Sequence, residues 1–236
     1  MASSAPSDPG RRRRLLYGRR KGPKLSPHKE ELRRSLLPQL ALPLESGRDP
    51  RRYFAADVGD VWLEVGFGGG EHLIEQARAN PQVGLIGAEP YEAGVAKLLS
   101  KLEGTDVSNI RIHEGDARDI LEALPDARLG RVFILFPDPW PKTRHHKRRF
   151  VQMEMLDTLA RVMAAGAELR IASDDAGYID WVLERGMAHS GFAWTANCAA
   201  DWRIRPAGWP QTRYEAKALH GPPAYLSFVR RGNMGG

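Results

Sequence analysis

Val61-Trp62-Leu63-Glu64-Val65-Gly66-Phe67-Gly68-Gly69-Gly70-Glu71 runs from a β-branched, apolar stretch directly into four glycines. A short apolar run closed by glycine reads as a buried strand over 61–66, and the helical spacing after it reads as a first helix over 72–78. Positions without side chains at such a strand-to-helix turn let a ligand approach the backbone closely. The dinucleotide fingerprint G-x-G-x-x-G would need glycine at position 71, which is Glu71. An anionic side chain is poorly placed beside a pyrophosphate, so nicotinamide and flavin dinucleotides are disfavoured.

Outward from this turn, short apolar runs alternate with longer segments of helical period. Further strands are expected over 83–88, 110–114, 131–136, 167–173, 192–197 and 224–230, and further helices over 91–102, 117–123, 150–163 and 178–188. The last two strands are separated only by a loop rich in Trp and Arg and a short helical piece. The expected fold is therefore α/β: a Rossmann-like, doubly wound, mostly parallel seven-stranded sheet with an antiparallel last strand. Three segments follow along the chain: a basic arm over 1–28, a helical lead-in over 29–57, and one catalytic-sized domain over 58–236.

The formal charge is +6, yet residues 1–34 hold eleven Lys/Arg against Asp8, Glu30 and Glu31, which leaves the rest of the chain net negative by two. The arm has almost nothing apolar to bury, so it is expected to be disordered and to favour polyanions such as RNA. Asp8 and the scattered Pro and Gly argue against an amphipathic transit peptide, and no signal-peptide or membrane-spanning stretch is visible. Cys198 is the single cysteine, which rules out an intrachain disulfide or a cysteine metal site. His28, His72, His113, His189 and His220 show no zinc-ligand spacing, and no metal is expected. A soluble, cytoplasmic protein follows, as a monomer or homodimer.

Two kinds of residue gather at the expected strand ends. Glu89 closes the second strand, where a carboxylate can take both ribose hydroxyls of a nucleoside, and Asp116 closes the third. Taken singly, each acid reads equally as an N-cap or turn carboxylate. The fourth strand ends in Phe136-Pro137-Asp138-Pro139-Trp140-Pro141-Lys142, followed by Arg144, His145, His146, Lys147, Arg148 and Arg149. A planar base could stack on Trp140 and hydrogen-bond to Asp138 while the cations hold phosphates. The plainer alternative is a Pro-rich turn leading into a solvated helix face.

The E-x-G-x-G-x-G pattern with Gly66, Gly68 and Gly70 resembles the first motif of S-adenosylmethionine-dependent methyltransferases. Together with G-x-E at 87–89, E-G-D at 114–116, F-P-D-P-W-P-K-x-R-H-x-K-R-R at 136–149, Ser173-Asp174, and T-x-Y-E at Thr212, Arg213, Tyr214 and Glu215, the chain resembles the bacterial tRNA (guanine-N7)-methyltransferase family over about 45–231. The resemblance implies a class I methyltransferase fold and S-adenosylmethionine as methyl donor. It further implies tRNA as substrate, with transfer to N7 of a variable-loop guanine, position 46. By the same resemblance Glu64, Gly66, Gly68, Gly70, Glu89, Asp116 and Asp138 would contact the cofactor or its reaction zone. Lys142, Asp174, Thr212, Arg213, Tyr214 and Glu215 would contact the tRNA, and Arg144, His145, His146, Lys147, Arg148 and Arg149 the RNA backbone. Pro90, the long arm and the doubled acid Asp174-Asp175 depart from the family pattern, and the doubling leaves open which acid meets substrate.

Guanine N7 carries a free lone pair, so it needs no proton removed before attacking a methyl group. Alignment, exclusion of water and negative potential are what the site must supply. Asp138 is the expected catalytic residue, accepting hydrogen bonds from the N1–H and N2–H edge of the guanine. Trp140, or else Tyr214 or Trp209, would replace the stacking an extruded base loses. Asp138-Pro139-Trp140 also resembles the Asp/Asn-Pro-Pro-Tyr/Phe motif of exocyclic-amine methyltransferases, without its second proline. A non-catalytic RNA-binding protein of the same fold is the rival from another class.

Overall fold

The computed structural model describes residues 20–55, 57–210, 215–216 and 220–232. Residues 1–19 of the basic arm and Thr212, Arg213 and Tyr214 of the T-x-Y-E motif lie outside the described residues. Helices α1 (Pro27–Ser35) and α2 (Leu37–Leu40) lead in. Then β1 (Asp60–Val65), α3 (Glu71–Ala79), β2 (Val83–Ala88), α4 (Glu92–Leu102), β3 (Ile110–His113), α5 (Ala117–Ala123) and β4 (Leu129–Leu135) alternate. They are followed by α6 (Met153–Val162), β5 (Met163–Ser173), α7 (Ala176–Ala188), β6 (Phe192–Trp194), α8 (Ala200–Arg203) and β7 (Ala224–Arg230).

The strands form a seven-stranded sheet in the order β3-β2-β1-β4-β5-β7-β6. β1 pairs in parallel with β2 on one side and β4 on the other, and β7 runs antiparallel between β5 and β6. The inner strands read as unbroken apolar runs because both faces are covered: every residue of β2 is buried. One face packs through Leu63, Val132, Ile134 and Leu169 against α5, α6 and α7. The other packs through Leu85, Ile110 and Phe133 against α1, α3 and α4. The order in which strands are added reverses between β1 and β4, so the connections after these two parallel strands diverge and leave a crevice at their carboxyl ends. No described helix is long and apolar enough to cross a membrane.

Four differences from the sequence expectation have local causes. The helix expected from position 150 begins at Met153, because the chain turns tightly at Val151, with the Gln152 N–H donating to the Phe150 carbonyl at 3.1 Å, and Val151 is plugged into the core, its carbonyl accepting from Trp181 Nε1 at 2.6 Å. The fifth strand starts at Met163 rather than 167, since Met163 already pairs with Leu129 before a bulge in the register. β6 stops at Trp194 rather than 197, leaving a short edge strand. The cationic run folds into a 3-10 helix, Thr143–Arg148, which a run of like charges without apolar spacing did not signal.

Candidate active site

The turn after β1 shows why glycine is needed. Gly66, Gly68 and Gly70 hold φ of 72°, 57° and 75°, a left-handed region in which side chains with a Cβ are strained. With the chain turned this way, the Gly68 N–H donates to Glu89 Oε2 at 2.7 Å, and the Tyr91 N–H donates to Glu89 Oε1 at 2.9 Å. Glu89 is thereby fixed across the ends of β1 and β2. Burial raises its carboxyl above the ordinary glutamate value; the two backbone donors counter this, and the charges of Glu64 and Asp138 add to the rise.

Between this turn and the loop after β4 lies a cavity of about 580 Å³. Gly66, Gly68, Gly69, Glu89, Gly115 and Asp116 line one part, and Phe136, Asp138 and Trp140 another. Gly70 stands behind the wall, and a Cβ there would lie 2.5 Å from Leu98 Cδ1. Asp116 serves two masters: it faces the cavity, and it also caps α5, accepting from the Arg118 N–H at 3.0 Å and pairing with the Arg118 guanidinium. Sequence reasoning missed Arg118, Tyr91, Lys97 and Phe150 on these walls. Only Arg118 left a signal, as the cation two residues past a capping aspartate.

Glu64 is not on the cavity wall. It is 3% exposed, on the sheet face toward α3, and its Oε2 lies 2.8 Å from Nδ1 of the equally buried His72. The His72 ring in turn meets Phe133 and Trp209 edge-on, at 4.6 and 5.3 Å between centroids.

The loop after β4 is unusual in its backbone. Phe136 and Trp140, on either side of Asp138, hold φ of 51° and 45°. For bulky residues this conformation costs on the order of 1–3 kcal/mol each and persists only where surroundings enforce it. Asp138 opens to solvent through the cavity, yet the crowding walls desolvate its carboxyl enough to raise its pKa. Among the described residues no hydrogen bond is made to that carboxylate. Trp140 is half-buried, with His145 edge-on at 5.8 Å and the Arg148 guanidinium over its ring at 4.8 Å.

The cations sort into two groups. Lys142, Arg144 and Lys147 are exposed, and His145, His146 and Arg148 are half-buried. Partial burial, followed by the charges of Arg148, Arg144, Lys142 and Lys147, lowers the pKa of His145. His146 turns toward α7, its ring 5.2 Å from that of Trp181. Arg149, expected on the RNA backbone, is instead 3% exposed and faces the protein interior.

After β5, Asp175 is spent on capping α7, accepting from the Tyr178 N–H at 2.7 Å. Asp174 is the acid left facing the segment before β7, where its Oδ2 accepts from the His220 N–H at 3.2 Å. Glu215 is buried at the same end and accepts from the Tyr225 hydroxyl at 2.6 Å and from Arg205 at 3.2 Å. Burial, then the Glu215 hydrogen bond and charge, pushes the Tyr225 phenol up. Among the described residues no three His, Cys, Asp or Glu side chains converge as a metal site.

A family model described as a putative methyltransferase matches residues 59–223. A tRNA (guanine-N(7)-)-methyltransferase of Rhodospirillum rubrum is 54% identical over 223 residues, covering 92% of this chain and 88% of that protein. Another, of Chelativorans sp., is 45% identical over 226 residues, covering 94% and 97%. Among solved structures, the 16S rRNA methyltransferase KamB shares the fold with a TM-score of 0.57 at 19% identity, covering 80% of this chain and 95% of that one.

Proposed function

The chain belongs to the tRNA (guanine-N7)-methyltransferase family, and from that premise we propose that it binds S-adenosylmethionine in the cavity between β1 and β4 and methylates N7 of the variable-loop guanine at position 46 of tRNA. The observation that carries the reading is the shared wall. Gly66, Gly68, Glu89 and Asp116 form one end of a single cavity and Asp138 with Trp140 the other.

The residues fit such a donor. Left-handed glycines open the backbone, and both Glu89 oxygens, though held by N–H groups, keep a lone pair each for ribose hydroxyls. When bound, S-adenosylmethionine supplies an electrophilic methyl on a sulfonium. Glu64, Glu89 and Asp138 supply negative potential, Glu64 from beneath the wall, matched to a positive charge that moves from donor to purine. Asp138 accepts from the guanine N1–H and N2–H edge, and the bound base displaces water from its open side. Trp140 stacks on the extruded base. Asp174 orients the RNA at the end of β5, the buried Glu215 holds Tyr225 and Arg205 beside it, and Lys142, Arg144 and Lys147 meet the phosphates. The reaction takes place in the cytoplasm.

Incubating the protein with unmodified tRNA and methyl-labelled S-adenosylmethionine, then digesting to nucleosides, should yield labelled 7-methylguanosine mapped to the variable loop. Label in a methylated exocyclic amine, or none, would refute the reading.

A further inference from the structure

Arg149 ends the cationic run but is built as an internal brace. Its Nε donates to the Pro139 carbonyl at 2.8 Å and its Nη1 to the Gly177 carbonyl at 3.2 Å. The guanidinium lies 4.9 Å from the centre of the Trp181 ring and 5.7 Å from that of Tyr178. Among the described residues none of its hydrogen bonds goes to a carboxylate. The charge of the nearby Asp175 offsets part of the desolvation that lowers the Arg149 pKa, but a buried guanidinium hydrogen-bonded to carbonyls is still a costly way to fill space, since leucine or methionine would pack there without desolvating a charge.

What the two carbonyls belong to explains the choice. Pro139 stands between Asp138 and Trp140, and the orientation of the peptide it shares with Trp140 is what sets the Trp140 φ of 45°. Gly177 is in the first turn of α7, two residues after Asp175. We infer that Arg149 is a positioning residue for methyl transfer: it locks the Pro139–Trp140 peptide against flipping and ties the loop after β4 to the start of α7. Asp138 and Trp140 on one loop and Asp174 on the next then meet the same nucleotide at a fixed separation. A planar fork of donors spans two carbonyls, whereas a lysine ammonium on a flexible stem holds one at a time without fixing their angle. The inference rests on reading Asp138 as the group that holds the guanine.

Single-turnover methylation at saturating tRNA and donor tests it. Arg149→Met should lower the rate by about 100-fold, the scale of a small misplacement of reacting groups. Affinity for S-adenosylhomocysteine should stay within about twofold, because Glu89 and Asp116 are held by other contacts. The slope of tRNA affinity against salt should not change; a phosphate contact would instead reduce it by about one. Arg149→Lys should lower the rate by about tenfold, between wild type and Met, and it carries the test if Met fails to fold. In an Asp138→Asn background Arg149→Met should add less than about threefold, as expected of residues acting through one contact. A rate within about twofold of wild type in either single variant, or a reduced salt slope, would overturn the inference. Full activity of Asp138→Asn beside a slow Arg149→Met would remove the reading of Asp138 and leave the brace acting through Trp140.

Discussion

Asp138 shows at the scale of one residue how function and stability oppose each other. Its carboxyl is partly desolvated and accepts no hydrogen bond among the described residues, so its folded pKa is raised. A carboxyl with a raised folded pKa favours the folded state while protonated, and that contribution is lost as pH rises through the folded value. At neutral pH the ionised form therefore costs stability. Asp138→Asn should melt at a higher temperature than wild type near pH 7, with the gap closing as both are acidified below the ordinary aspartate range, while methyl transfer is largely lost. Calorimetry across pH beside a single-turnover assay checks both halves. Equal melting temperatures at pH 7 would mean that the carboxylate is better solvated than its surroundings indicate. The role of Arg149 was illegible in the sequence for a physical reason. A cation inside a run of cations reads as solvated, and only the approach of α7 over it, with Trp181 and Tyr178, turns it inward.

At the scale of elements, the strands were legible because a parallel sheet buried on both faces demands unbroken apolar runs, as in β2. Phe150 and Val151 misled because apolar spacing continues smoothly into α6, while the buried Val151 and the Trp181 hydrogen bond hold the chain in a tight turn before the helix. Glu64 was legible as an acid at a strand end but not as the partner of His72, since pairing eight residues apart depends on how α3 folds back over β1. The glycine turn was the clearest element of all, and it makes a sharp prediction. A Cβ added at Gly66 meets nothing within 4 Å, on a residue that lines the cavity. Gly66→Ala should thus lower stability by only about 1–2 kcal/mol, the cost of a left-handed alanine. Donor affinity should fall by about tenfold or more, because the methyl occupies the donor's space. Parallel melting and S-adenosylhomocysteine titration separate the two effects.

For the whole molecule, charge is distributed along the chain rather than balanced locally. The first 34 residues carry more than the whole positive excess, and the exposed cations Lys142, Arg144 and Lys147 form a second, smaller concentration beside the cavity. Replacing Lys142 with Ala should weaken tRNA binding at low salt and reduce the slope of log affinity against log salt by about one, with the rate at saturation little changed. A filter-binding series over salt concentrations measures this. An unchanged slope would mean that Lys142 stays in water when RNA binds.

The order of the sheet also constrains how the chain can be made. β7 lies between β5 and β6, so the strand synthesised last fills a gap whose two borders were made earlier. Until the ribosome has released residues 224–230, the outer edge of β5 is bare and β6 has nothing to pair with. The nascent protein therefore carries an open, adhesive border until this segment emerges, and its insertion closes that border and brings the His220 N–H up to Asp174 in the same event.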